Sequence, residues 1–198
     1  MVRVGVLALQ GDFVEHMEML YSLAEPKPVR VVEDLSNIDA LILPGGESTT
    51  IGRLIERVGL SEALVNKISF EGIPTLATCA GTVLLAKKIK DRVLGDMAQS
   101  SLGILDISIL RNGFGRQINS FECDVKVENV GIISALFIRA PVINELWGSA
   151  KPIACIDHPK TGKTVVAVSQ SNVIALTFHP EIRGDTKIYR TLISMAKC

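Results

Sequence analysis

The chain opens with VRVGVLAL (2–9), a short valine-rich apolar run, followed by DFVEHMEMLYSLA (12–24), where Phe13, Met17, Leu20 and Leu23 recur at helical spacing. This pair predicts a strand and then a helix. VRVV (29–32), ALIL (40–43) and PTLAT (74–78) predict further buried strands, and SEALVNKISF (61–70) a helix capped by Ser61 with Glu62 in its first turn. TLATCAGTVLLAKKI (75–89) begins as a buried strand and continues as an amphipathic helix, with Cys79 at the junction. Continuous apolar strands alternating with helices predict an α/β fold, a doubly wound, mostly parallel sheet with helices on both faces. In the second half, ILDISIL, FECDVKV, ISALFIR, PIACID, TVVAVS and VIALTF follow closely, with turns such as RNGFG and KTGK between them. They predict added antiparallel strands or hairpins. The last helix is expected in GDTKIYRTLISMAK (184–197), with Ile188, Leu192 and Met195 on its buried stripe.

A length of 198 residues suits a single domain over 1–198 that needs neither disulfides nor a structural metal. Lys+Arg and Asp+Glu both total 21, so no net charge draws the chain to nucleic acid or anionic lipid, and an aromatic share of 5% argues against a base-stacking surface. The start, MVRVGVLALQGD, lacks the pattern of a signal peptide, and no later stretch is long and apolar enough to span a membrane. The expected location is cytoplasmic. Cys79, Cys123, Cys155 and Cys198 are widely and irregularly spaced, which suggests neither a zinc site nor a disulfide framework. The spacing assigns no role to Cys123, Cys155 or Cys198.

Cys79 lies in A-T-C-A-G (77–81), a variant of the strand-turn-helix elbow that lifts a nucleophile off a sheet. A helix N-terminus behind it offers amides that stabilise thiolate and oxyanion. A small core residue is the competing reading, so the partners must decide. Of the three histidines, His16 falls within the first predicted helix, where a partly exposed or capping role is expected, and His158 in an apparent hairpin loop. His179 directly follows the buried run VIALTF, at the sheet end where an α/β site belongs. Pro180 favours an extended His179, and in such a segment Glu181 faces the same way and can fix the imidazole tautomer. LILPGGESTTIGRLI (41–55) supplies a glycine turn whose amides can face a developing oxyanion; a phosphate turn, or a tight loop capped by Ser48, is the alternative. Two motifs are decoys. TGKT (161–164) has Asp157 where a phosphate loop needs glycine, and NGFGRQ lacks the third glycine of a dinucleotide fingerprint. Taken together, the three strand ends predict nucleophilic acyl transfer.

LALQGD, LPGGEST, TCAGT, RNGFGRQ, FIRAP and FHPE, in this order along nearly the whole chain, resemble the glutaminase subunits of pyridoxal 5'-phosphate synthase, which are triad-type class I glutamine amidotransferases with a flavodoxin-like sheet. The resemblance implies Cys79 as nucleophile, His179 as general base and acid, and Glu181 as orienting carboxylate. It also implies glutamine binding through Gly46, Glu47, Ser48, Arg111, Ile138 and Arg139, and an oxyanion held by the amides of Gly46 and Ala80. The partner it implies is a separate synthase subunit in a hetero-oligomer, which receives ammonia for pyridoxal 5'-phosphate (vitamin B6) biosynthesis; no bound cofactor is expected. Ala77 departs from the pattern, since the elbow usually has glycine there, and altered geometry at most is expected. Gln10 and Gly11 match a family segment near the active site. The competing readings are a different cysteine hydrolase on the same sheet, an amidotransferase subunit serving another synthase, and a non-catalytic regulatory subunit.

Overall fold

The computed structural model describes residues 1–91, 95–96, 100–115, 118, 120–159 and 161–197, the side chains of 95–96 apart. Arg116 and Gln117 of RNGFGRQ, Lys160 and Cys198 therefore lie outside the described residues. In chain order come β1 (Arg3–Leu7), α1 (Phe13–Leu20), β2 (Glu25–Val29), β3 (Ala40–Leu43), α2 (Ser48–Arg57), α3 (Leu60–Val65) and β4 (Thr75–Thr78). After these come α4 (Ala80–Leu85), β5 (Ala86–Asp91), β6 (Gly95–Asp96), β7 (Leu105–Arg111), β8 (Phe121–Val127) and β9 (Gly131–Phe137). The chain closes with β10 (Val142–Leu146), β11 (Lys151–His158), β12 (Gly162–Gln170), β13 (Val173–Leu176) and α5 (Lys187–Met195).

The main sheet runs β2-β1-β3-β4-β13-β12-β10-β7-β5-β6, with β11 paired to β12. Its first five strands are mutually parallel. From β12 onward the neighbours are antiparallel, except for the parallel pair β5 and β7. Because β3, β4 and β13 are adjacent, the predicted glycine turn, cysteine and histidine emerge side by side at the carboxyl edge. Alternation along each strand divides the core in two. Leu41, Leu43, Ala77 and Ala175 meet α2, α3 and α4 through Ile51, Ile55, Leu64 and Leu84. Ile42, Leu76, Ile174 and Leu176 share the other layer with Leu20, Leu192 and the separate β8–β9 hairpin.

Several boundaries differ from the sequence expectation. The second strand is EPKPV rather than VRVV, and Pro26 and Pro28 are tolerated because β2 is an edge strand paired on one side only. Val31 and Val32, over 40% exposed, enter a 3-10 turn in which Asp34 accepts from the Arg30 and Val31 amides. Gly59, with φ 72°, precedes α3 where Ser61 was the expected cap, and a π-helical turn (Asn66–Phe70) completes that segment. AKKI is not the amphipathic end of a helix: α4 is six residues long and buried all round, and Ala86–Asp91 forms β5. Irregular pairing between Ala86 and Lys88 buries Ala86 and Ile89, three apart, so the strand carries a helix-like period. VINEL, not anticipated as a strand, forms β10. No helix among the described residues is long and apolar enough to cross a membrane.

Gly81 marks where α4 lies against the sheet, since a Cβ there would strike the carbonyl of Leu43. Gly81→Ala is expected to destabilise the chain by about 2 kcal/mol or more, read as a lower denaturant midpoint with an unchanged slope.

Candidate active site

Cys79 joins β4 to α4 with φ 44° and ψ −101°, a backbone conformation that side chains other than glycine rarely adopt. The Cys79 amide donates to the Leu176 carbonyl at 2.9 Å, and the Thr82 hydroxyl donates to the same carbonyl at 2.6 Å. These bonds tie the elbow to β13 and over-determine the strained residue. Ala77 lies one strand position before Thr78, fully buried between Leu43 and Ala175, and its methyl sits in the core layer while the elbow keeps its turn. Cys79 is buried at 8% exposure yet lines an open cavity of about 320 Å³.

His179 leaves the sheet three residues after β13, and its amide donates to the Leu136 carbonyl of β9, a bridge that fastens the hairpin to the site. Its Nδ1 faces Glu181 Oε1 at 2.6 Å and Asp12 Oδ2 at 3.2 Å, and His179 and Cys79 border the same cavity. Burial disfavours the imidazolium, but the interactions with Asp12, Cys79 and Glu181 outweigh it and hold the pKa well above its ordinary value. The His179–Glu181 contact expected from the sequence is present, though by a different route. Pro180 is helical, with φ −71° and ψ −29°, and a 3-10 turn (Glu181–Arg183) brings the carboxylate back under the ring.

Asp12 was not singled out by the sequence analysis. It lies just beyond β1, and Gly45 leaves room for its contact, because a Cβ at Gly45 would collide with both the His179 ring and the Asp12 carboxylate. Its hydrogen bond to His179 holds the Asp12 pKa below the ordinary carboxylate range, against the opposing effect of burial. His16 is a clear correction. Neither exposed nor capping, it is fully buried, with Nδ1 2.7 Å from the Tyr189 hydroxyl, Nε2 3.1 Å from Thr78 Oγ1 and 3.6 Å from Glu181 Oε2. The sequence did carry the signal. His16 stands three residues after Phe13 and four before Leu20, on the stripe that α1 turns inward. His158 ends β11 against Phe114 and Phe121, among the residues of a different cavity.

The glycine turn closes the other side. Glu47, not Ser48, caps α2: its carboxylate accepts from the amides of Thr49 at 3.1 Å and Thr50 at 2.7 Å. Arg111 donates to Glu47 Oε1 at 2.8 Å and to Thr49 Oγ1 at 2.9 Å. Burial would raise the Glu47 pKa, but the Thr50, Thr49 and Arg111 interactions outweigh it and lower it. The Glu47 amide donates to Gln10 Oε1 at 2.9 Å, so the loop after β1 also braces this turn. Gly46 has φ 143°, and a Cβ there would meet Gln10 and Gly11. Ala80 begins α4, so its amide lies outside the helix's own ladder. Gly46, Glu47, Ser48, Ala80, Arg111 and Cys79 thus border one cavity. Ile138 and Arg139 border it from the loop after β9, where Arg139 is exposed with φ 44°.

A buried thiol on a strained elbow, an imidazole steadied by carboxylates and a glycine turn facing the same cavity are the parts of a cysteine acyl-transfer site. The model of the SNO glutamine amidotransferase family matches residues 6–197. The chain belongs to that family. It is 56% identical over 199 residues to the pyridoxal 5'-phosphate synthase subunit PdxT of Hyperthermus butylicus, covering 100% of this chain and 98% of that protein. The subunit of the same name from Pyrobaculum arsenaticum is 45% identical, with 98% of each chain covered. Among solved structures, a glutamine amidotransferase superposes with a TM-score of 0.88 at 43% identity, covering 98% of this chain and 99% of that one.

Linkage sets the pH dependence of the Asp12–His179 contact. The raised His179 pKa contributes stability in full below the unfolded imidazole value and loses it as pH rises through the folded value. The lowered Asp12 pKa contributes above the unfolded carboxylate value. Asp12→Asn is therefore expected to lower unfolding free energy by about 1 to 2 kcal/mol between roughly pH 4 and 6.5, with the difference narrowing at alkaline pH. Denaturant unfolding across that range reads it.

Proposed function

We propose that this chain is a glutaminase that hydrolyses L-glutamine to L-glutamate and ammonia and supplies the ammonia to a separate pyridoxal 5'-phosphate synthase subunit in a cytoplasmic hetero-oligomer. The observation that carries the reading is a cysteine on a strained strand-to-helix elbow bordering the same cavity as an imidazole whose Nδ1 is held by Glu181, in a member of a glutamine amidotransferase family. The names of the relatives support the partner and the pathway.

In this reading His179 takes the thiol proton through Nε2, the ring nitrogen not engaged by the carboxylates. The Cys79 sulfur attacks the side-chain amide carbon of glutamine, and the Gly46 and Ala80 amides stabilise the oxyanion. His179 then protonates the departing ammonia, and the glutamyl thioester remains on Cys79. Water, deprotonated by His179, attacks that thioester, and glutamate leaves as the thiol is restored. The substrate's charged end fits the cavity's electrostatics. Arg111 and the exposed Arg139 present positive charge to an α-carboxylate, while Asp12 and Glu47 offset an α-ammonium group. Backbone groups of Ser48 and Ile138 complete the grip.

Ammonia and glutamate release from glutamine, with and without the pyridoxal 5'-phosphate synthase subunit, tests the whole reading. Release is expected to rise with that subunit and to fall on the order of 10³-fold or more in Cys79→Ala. Release that persists in Cys79→Ala would remove the nucleophile assignment, and stimulation by a different synthase alone would remove the pathway.

A further inference from the structure

Glu181 uses one carboxylate oxygen on His179, and its other oxygen, Oε2, is buried with no hydrogen-bond partner among the described residues. Native interiors seldom leave such an atom unmatched. Nε2 of His16 lies 3.6 Å from it. We propose that His16 is a positioning residue for the triad carboxylate, fixed by Tyr189 as the Nε2–H tautomer, with that N–H aimed between the Thr78 hydroxyl and Glu181 Oε2. The inference rests on the glutaminase reading of Cys79, His179 and Glu181.

The tautomer follows from the contacts. A fully buried phenol keeps its proton, and the Tyr189 hydroxyl, 2.7 Å from His16 Nδ1, has that nitrogen to donate to. Nδ1 then accepts and Nε2 carries the hydrogen. With the opposite tautomer the Nε2 lone pair would face a carboxylate oxygen at 3.6 Å, and the phenol proton would lose its acceptor. Burial also lowers the His16 pKa, so the ring stays neutral and holds one N–H rather than two.

The placement couples the two halves of the triad. Thr78, 3.1 Å from Nε2, immediately precedes Cys79, while Glu181 orients His179. His16 therefore lies between the nucleophile's strand and the base's carboxylate, although it does not line the substrate cavity. An Oε2 left without this N–H lets the carboxylate turn about its own bond, and His179 turns with it. Such a loss reaches the proton-transfer steps rather than substrate binding.

The first measurement is the His16 tautomer in the wild-type chain by long-range ¹H–¹⁵N correlation, which needs no glutaminase activity. A neutral ring protonated on Nε2 is expected, and protonation on Nδ1 would overturn the proposal. The second is kcat and KM per titratable Cys79 thiol, with the synthase subunit present, for His16→Leu, His16→Gln and Tyr189→Phe. His16→Leu is expected to lose about 10- to 100-fold in kcat with KM within about twofold. His16→Gln, whose amide N–H can reach the place of Nε2–H, is expected to recover most of it. Equal losses in Leu and Gln would overturn the proposal, as would a loss confined to KM or to melting temperature. Should His16→Leu not fold, Tyr189→Phe decides: a several-fold fall in kcat supports the role and an unchanged kcat overturns it. If the wild-type chain releases no ammonia, the glutaminase reading fails by itself, and the tautomer still decides the contact.

Discussion

Everything at the sheet edge converges on one histidine. The His179 ring meets Glu181 from its own turn and Asp12 from the loop after β1, its amide meets the Leu136 carbonyl of the β8–β9 hairpin, and Cys79 borders the same cavity from the elbow. Burying a charged ring is costly unless its partners are already in place, so the interaction demands that these segments be positioned together. The parallel order β1-β3-β4-β13 meets most of that demand, because each strand end delivers its residue beside the next. The hairpin completes it from outside the main sheet.

The same edge concentrates backbone strain. Cys79 adopts a positive φ that a residue with a side chain rarely takes and is held there by the bonds of its own amide and of Thr82 to the Leu176 carbonyl, while Gly46, at φ 143°, takes without strain an angle that a side chain would oppose. A strained residue of this kind costs on the order of 1 to 3 kcal/mol and persists only when its surroundings leave no alternative. The dense core layers on both faces supply that rigidity. Here strain serves function, since relaxed backbone would return the thiol to the sheet.

The loop and helix after β1 link these parts more than their modest sequence suggests. Within seven residues, Gln10 braces the glycine turn, Asp12 shares the His179 nitrogen and His16 lies behind Glu181. A displacement of α1 would be felt by the glycine turn, His179 and Glu181 at once.

Much of this was legible in the order of residues. The apolar runs at 2–9, 40–43 and 74–78 and the helical stripe at 12–24 marked strands and a helix of the first half, although VRVV did not form the second strand, and Cys79, His179 and Glu181 could be picked out because strand-to-helix junctions and a strand-end His-Pro-Glu are local patterns. Local pattern misled where context reversed it: Ala86 and Ile89 imitate a helix but lie in an irregularly paired strand, and prolines that discourage a strand are accommodated at an edge. Residues such as Asp12 and His16 have no local signature, since their meaning lies in contacts to residues far along the chain, 62 positions for His16 and Thr78 and 173 for His16 and Tyr189. The sequence by itself determined the chemical groups and the elements that carry them, because propensity, periodicity and turn chemistry act over a few residues. Only the tertiary structure decided which groups share a proton, since a hydrogen bond in a dry interior depends on a few tenths of an ångström that sheet order and packing alone can set.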